Sequence, residues 1–239
     1  MKVSDVLSDA LTGYRVFWRH LALLALIGGA AVLTLVIILV LALGGVGLVA
    51  AVFISIVANF WIAGLLVQTV DNSMQGEDDA SIESRFRAFF PLMNSVSGAA
   101  LLLSAVMLPG LALSSTGHPI VGLPLSIGGI VVLTWWALVL PLIVIEKCFI
   151  GEALVRSREL VAGKGWQVFS FLAVVGLLSG LLSSAVERIL LAVVPNAPAL
   201  ALSALFDTVV ITPFLAVALV SLYFALSPSD SSELLPTPA

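Results

Sequence analysis

Residues 21–70, LALLALIGGAAVLTLVIILVLALGGVGLVAAVFISIVANFWIAGLLVQTV, contain no Asp, Glu, Lys or Arg. Drawn out as one helix, the run would reach roughly 75 Å at 1.5 Å per residue, against a hydrocarbon core of about 30 Å. It is too long for one crossing and too apolar to lie in water, so it must fold back. Gly44, Gly45 and Gly47 mark the natural break, because glycine adopts the backbone angles of a tight turn. The expected spans are about 21–43 and about 47–70.

The rest of the chain follows the same logic. Of its 239 residues, 61% are hydrophobic and 10% charged, and the mean hydropathy is +1.20. Soluble domains carry about a quarter charged residues. Ten Lys+Arg and fourteen Asp+Glu cannot clothe a soluble surface, which leaves lipid as the solvent. A net charge of −4 argues against a nucleic-acid partner, since phosphate binding needs a clustered basic face. Cys148 stands alone and allows no internal disulfide; His20 and His118 are isolated, and no zinc or haem spacing is present. No metal or cofactor is expected. The N-terminal lead carries Asp5 and Asp9 and precedes an apolar run longer than the roughly 7–15 residues of a signal peptide core, so the first span is expected to be retained.

Residues 88–145 are again free of Asp, Glu, Lys and Arg, with a turn cluster SSTGHP at 114–119. They give spans at about 93–113 and 123–145. A third pair, about 167–193 and 200–226, breaks at PNAP, 195–198. The tail 227–239, polar and proline-rich, is expected to be disordered and cytoplasmic. The fold class read from this pattern is an all-α integral membrane protein, with a single transmembrane domain over 1–226. Its six transmembrane helices form three hairpins, each preceded by a short amphipathic interfacial helix. Six spans bring Lys2, Arg15, Arg19, Arg85, Arg87, Lys147, Arg156, Arg158 and Lys164 to one side and leave Arg188 on the other. The positive-inside bias then puts both termini in the cytoplasm, at the cell membrane.

The amphipathic stretches suggest an internal repeat. In the first, Val3, Leu7, Ala10, Tyr14 and Phe17 share a helical face. In the second, Ser81 suits an N-cap and Glu83–Arg87 an i,i+4 pair; in the third, Ile150, Leu154, Ser157 and Val161 share a face, with Glu152–Arg156 as the pair. Trp18 and Trp166 each precede a span, as interface anchors do.

The third stretch, GEALVRSRELVAGKGWQVF at 151–169, carries five features in order: Ala153-Leu154, Arg156-Ser157, Leu160-Val161, Gly163-Lys164, and Trp166 before an apolar run. This resembles a pattern in a loosely defined group of bacterial and archaeal six-span membrane proteins. The group includes the glycerophosphoryl diester phosphodiesterase membrane domain and YciC-like proteins. The resemblance implies an all-helical membrane domain and no catalysis. The soluble phosphodiesterase domain has no room in this chain, so no catalytic residue carries over.

Charges inside a membrane domain are the default functional candidates. Beyond the cytoplasmic edge these are Glu187, Arg188 and Asp207. A turn near Asn196 would set Arg188 and Asp207 at similar depth, either as a structural ion pair or as a polar site for an ion or small ligand. Gly176, Gly180 and Ser184 form a small-residue stripe suited to packing against span six or another subunit. Ser183 and Ser184 have no neighbouring histidine, so no serine nucleophile is visible. Pro109, Pro141 and Pro213 fall within spans and should kink or interrupt them, Pro109 with Gly110 equally suiting a helix end. Trp135 and Trp136 read as core packing, and Asn59 as an interhelical hydrogen-bonding residue. Gly163-Lys164-Gly165 lacks the rest of a phosphate loop.

Three functions of different class follow. The first is a non-catalytic membrane module organising partners or lipids through its cytoplasmic helices. Membrane lipids are its expected partners, and a protein partner or a homo-oligomer is compatible with it. The second is a transporter or channel for a small solute, using the polar group around Arg188 and Asp207. The third, an intramembrane enzyme, needs an acid–base pair or metal cluster that the sequence does not offer.

Overall fold

The computed structural model describes residues 3–74, 82–115, 119–194 and 196–227. Among them every regular element is helical and no strand occurs. In chain order they are α1 (Val3–Met74), α2 (Ile82–Phe89), a 3-10 turn (Phe90–Leu92), α3 (Met93–Ser115), α4 (Pro119–Trp135) and α5 (Val139–Ile145). There follow α6 (Ile150–Val161), α7 (Gly165–Val193), α8 (Asn196–Phe206), a π-helical turn (Asp207–Ile211) and α9 (Thr212–Leu226). Five stretches of the described residues are long and apolar enough to cross a membrane: Val3–Met74, Glu83–Gly110, Ile120–Ile145, Gly165–Val193 and Pro198–Leu226.

The first of these is not a straight rod. Gly44 has φ 56° and ψ −129°, a combination closed to residues with a Cβ. Past it the chain returns along itself. A Cβ on Gly47 would strike the carbonyl oxygen of Leu39, and one on Gly28 would lie 3.0 Å from the Ile62 side chain. In one straight helix, positions 28 and 62 would be about 51 Å apart.

The N-terminal amphipathic stretch departs from expectation. It is continuous with the first apolar run rather than a separate interfacial helix. No proline or glycine lies between Gly13 and Gly28 to interrupt it. The apolar face read from the sequence is nevertheless the one that packs. Ala10 is buried, and Val3, Leu7, Tyr14 and Phe17 lie against the core. Tyr14 meets the Phe214 ring edge-on at 5.9 Å, and its hydroxyl donates to the Val210 carbonyl. In α2 the Glu83–Arg87 pair forms at 2.9 Å, fully at the surface. Ser81, the expected cap, and the tail 228–239 lie outside the described residues.

The core is concentrated at one end of the molecule. Leu66, Val67 and Val70 of α1 meet Phe89, Val96, Leu138, Leu142 and Ile143, together with Val217 and Leu222 of α9, all fully buried. Away from that end, apolar side chains turn outward: Leu41 is 81% exposed and Ile120 88%. Outward-facing Leu, Ile and Val in such number are covered at no cost only by lipid.

Candidate functional site

Two places bring polar chemistry together. The first surrounds Asp207. Pro213 has no backbone N–H, so the helix cannot keep regular i to i−4 bonding through it. The chain widens into the π-helical turn, where the Thr212 N–H bonds back to the Asp207 carbonyl. The Thr212 hydroxyl donates to the same carbonyl at 3.2 Å. Such single-turn bulges recur at functional sites. The turn lies tight against α1: a Cβ on Gly29 would come within 2.8 Å of Thr208, so glycine is required for this approach.

The Asp207 carboxyl accepts a hydrogen bond from the Ser183 hydroxyl of α7 at 2.6 Å. It makes no ion pair with Arg188, so of the two arrangements the sequence offered, structural ion pair or polar site, the ion pair does not form. The reason is register. Arg188 lies five residues beyond Ser183, about 7.5 Å farther along α7 and about 140° around it. Arg188 is exposed and Glu187 half-buried, and neither joins Asp207. Asp207 opens instead onto a cavity of about 360 Å³ between both arms of α1, α8 and the π-helical turn, where Asn59 and Ser55 form the facing polar wall. Asn59 does not bridge helices as expected. Its amide donates to the Ser55 carbonyl of its own helix at 2.8 Å.

The small-residue stripe also reads differently in three dimensions. A Cβ on Gly176 or Gly180 would meet nothing within 4 Å, so these residues do not make the close approach to the 200–226 segment expected of them. The face of α7 that packs is Val168, Phe171, Val175 and Ser179. Ser184 bonds the Leu181 carbonyl of its own helix.

The second place is the docking of α6 onto the break between α4 and α5. Pro141 cannot donate to the Ala137 carbonyl, and the helix is interrupted just before it. Val139 N–H bonds the Trp136 carbonyl at 3.1 Å rather than that of Trp135. Two backbone groups are left over, and one side chain takes both. The Ser157 hydroxyl donates to the Trp135 carbonyl at 2.8 Å and accepts from the Leu138 N–H at 3.2 Å. Ser157 is fully buried, flanked on the same face of α6 by buried Ala153 and Val161.

Around this plug sits a polar clamp. Glu146, at the end of α5, pairs with Arg156 of α6 and accepts a 2.9 Å hydrogen bond from the Tyr223 hydroxyl of α9. The bond to Glu146 holds the Arg156 guanidinium protonated even more firmly than usual. The Glu152–Arg156 pair expected from the i,i+4 spacing does not form. Glu152 reaches back to the Phe149 N–H at the start of α6, in a capping arrangement. Cys148 donates its thiol to the Leu142 carbonyl at 3.3 Å. Burial raises its pKa, and the Glu146 charge raises it further.

The outer side of this junction is aromatic and basic. Phe149 and Trp166 are about three-quarters exposed (75% and 77%), and Arg158 lies over the Trp135 ring at 5.4 Å. Lys147 is exposed beside them at φ 54°, and Gly163 (φ 78°) turns the chain from α6 toward α7. Trp135, read from the sequence as core, is a partly exposed surface residue. Sequence reading missed the Ser157 plug and the Glu146–Tyr223 bond. Pro141 was the signal for a break; nothing local identified what would fill it.

Among the described residues no group of three or more His, Cys, Asp or Glu is placed to hold a metal ion. Comparison with family models, with curated proteins and with solved structures finds no match for this chain.

Proposed function

We propose that this chain is a six-span, non-catalytic membrane module that organises lipids or partner proteins at the cytoplasmic face of the cell membrane through α6. Counting the two arms of α1 separately, the apolar stretches make six crossings, with both termini and nine of the ten Lys+Arg on the cytoplasmic side. The observation that carries the reading is the way α6 is fixed. Ala153, Ser157 and Val161 lock its inner face to the neighbouring helices, while Phe149, Trp166, Arg158 and Lys147 remain exposed and Lys164 partly so. Exposed aromatics beside cations suit the headgroup region, where anionic lipid adds about 1 kcal/mol per basic residue. The resemblance of 151–169 to membrane domains without catalysis agrees with this reading.

The test is native mass spectrometry of the full-length protein released from bilayers of phosphatidylglycerol and phosphatidylcholine. The wild type should retain phosphatidylglycerol preferentially, and Lys147→Gln, Arg158→Gln and Lys164→Gln combined should abolish the preference without loss of fold. Equal retention by wild type and triple variant would remove the role given to α6.

One observation favours a second reading. Asp207 and Asn59 line one cavity, although each also holds a hydrogen bond elsewhere, Asp207 from Ser183 of α7 and Asn59 to Ser55 of its own helix. Such convergence suits a solute site in a transporter, built where a span is interrupted. Uptake into proteoliposomes that disappears in Asp207→Asn, with thermal stability retained, would establish it.

A further inference from the structure

The cavity at Asp207 has a definite chemical bias. Its polar wall offers oxygen. One carboxyl oxygen of Asp207 is held by Ser183, and the other has no hydrogen-bonding or ionic partner among the described residues. The Asn59 amide directs its N–H to Ser55, which leaves its carbonyl oxygen as the free end. No Lys, Arg or His lines the cavity; Thr208 and Thr212 spend their hydroxyl protons on backbone carbonyls, and Val36, Ile62 and Leu205 give an aliphatic side. The α1 segments that line it belong to the run without any charged residue. Asp207 lies in an apolar stretch long enough to cross a membrane, where a carboxylate without a countercharge is costly, and a cation brought by a ligand supplies the missing partner.

We propose that this cavity binds a small protonated amine, its ammonium group on Asp207 and the Asn59 carbonyl and its aliphatic body on the Val36–Ile62–Leu205 wall. Hard metal cations fit less well. Calcium takes six to eight oxygen ligands and magnesium a near-ideal octahedron. The wall supplies one carboxylate, one amide and the hydroxyls of Ser55, Thr208 and Thr212, a single negative charge and too few strong oxygen donors for either ion. An ammonium group needs only a few acceptors and one negative charge, and 360 Å³ leaves room for an alkyl chain. Asp207 is thereby assigned as the charge-recognition residue, Ser183 as the group that orients it, and the π-helical turn as the device that brings the carboxylate to the cavity wall. The proposal rests on the cavity of the second reading but not on solute movement.

The experiment is scintillation-proximity binding of radiolabelled methylammonium, with propylammonium as competitor, to the full-length protein in nanodiscs. Wild type should bind saturably, and propylammonium should compete more strongly than its charge alone predicts because it reaches the aliphatic wall. Asp207→Asn should weaken binding about tenfold or more, in line with loss of one charge-assisted contact. Val36→Phe adds bulk to the cavity lining and leaves the carboxyl chemically unchanged, and it should also abolish binding, which keeps the test decisive if Asp207→Asn fails to fold. Glu187→Gln, outside the cavity, should bind like wild type. Absence of saturable binding by wild type, or unchanged binding in a folded Asp207→Asn or Val36→Phe, would overturn the proposal. Binding without uptake in proteoliposomes leaves it standing and removes transport; uptake of an uncharged probe such as glycerol without methylammonium binding does the reverse.

Discussion

The Ser157 hydroxyl sits 2.8 Å from the Trp135 carbonyl, twenty-two positions away in the chain, and fills a gap that Pro141 opens in the helix above it. One buried side chain thus joins the basic motif helix to a broken span. The small residue in the motif is there for its hydroxyl and its size, and the neighbouring arginines act at the surface.

Ser157→Ala should leave the Trp135 carbonyl and the Leu138 N–H unpaired in a buried position. Each such group costs about 1–3 kcal/mol. In a chain of this size a loss of about 1 kcal/mol lowers the melting temperature by about 2–4 °C. Thermal unfolding in detergent should therefore show a drop of several degrees. An unchanged midpoint would mean that water replaces the hydroxyl and that the plug is dispensable.

The clamp at Glu146 should be asymmetric. Tyr223 is buried and Arg156 is half-exposed, so the Tyr223 hydrogen bond is little screened while the ion pair is weakened by solvent and salt. Tyr223→Phe is expected to lower stability by about 1 kcal/mol and Arg156→Gln by less, with the Arg156 effect fading at high salt. A larger and salt-independent loss in Arg156→Gln would show that the ion pair is the principal fastening.

Cys148 offers a pH readout of the same junction. Burial and then the Glu146 charge raise its thiol pKa, while Arg156 lowers it. Because only the thiolate is nucleophilic, alkylation near neutral pH should be slower than for a free thiol and should accelerate as pH rises through the raised pKa. Glu146→Gln should speed labelling and Arg156→Gln slow it. Iodoacetamide rates across pH check both signs, and opposite responses would contradict the charge arrangement.

Gly44 carries the reversal of α1 at φ 56° and ψ −129°. Gly44→Ala should cost about 1–3 kcal/mol through backbone strain alone, since no neighbour lies within 4 Å of the added methyl. Gly45→Ala, also in open space, should cost far less. Comparable melting temperatures for the two variants would show that the turn has another conformation available.

Much of this architecture is legible in the sequence because it follows from counting. A charge-free run at 21–70 has to reverse, and the glycines at 44, 45 and 47 say where. The amphipathic face at Val3, Leu7 and Ala10 is set by helical periodicity, and it packs as read. What periodicity cannot give is register between helices. Arg188 and Ser183 differ by little more than one helical turn, yet only Ser183 meets Asp207. Spacing likewise favoured Glu152 as the partner of Arg156, whereas the partner is Glu146, brought there by the loop before α6. The two broken spans were flagged by Pro141 and Pro213. Their fillers, Ser157 and the π-helical turn, are tertiary facts.

The proposed six-span topology, with α6 on the cytoplasmic side, is tested most directly by sided cysteine labelling. In a Cys148→Ala background, Val46→Cys, His118→Cys and Arg158→Cys are introduced singly and treated with a membrane-impermeant maleimide from each side of the membrane. The account expects Val46→Cys and His118→Cys to label only from outside and Arg158→Cys only from inside. Labelling of Val46→Cys and Arg158→Cys from the same side would contradict it.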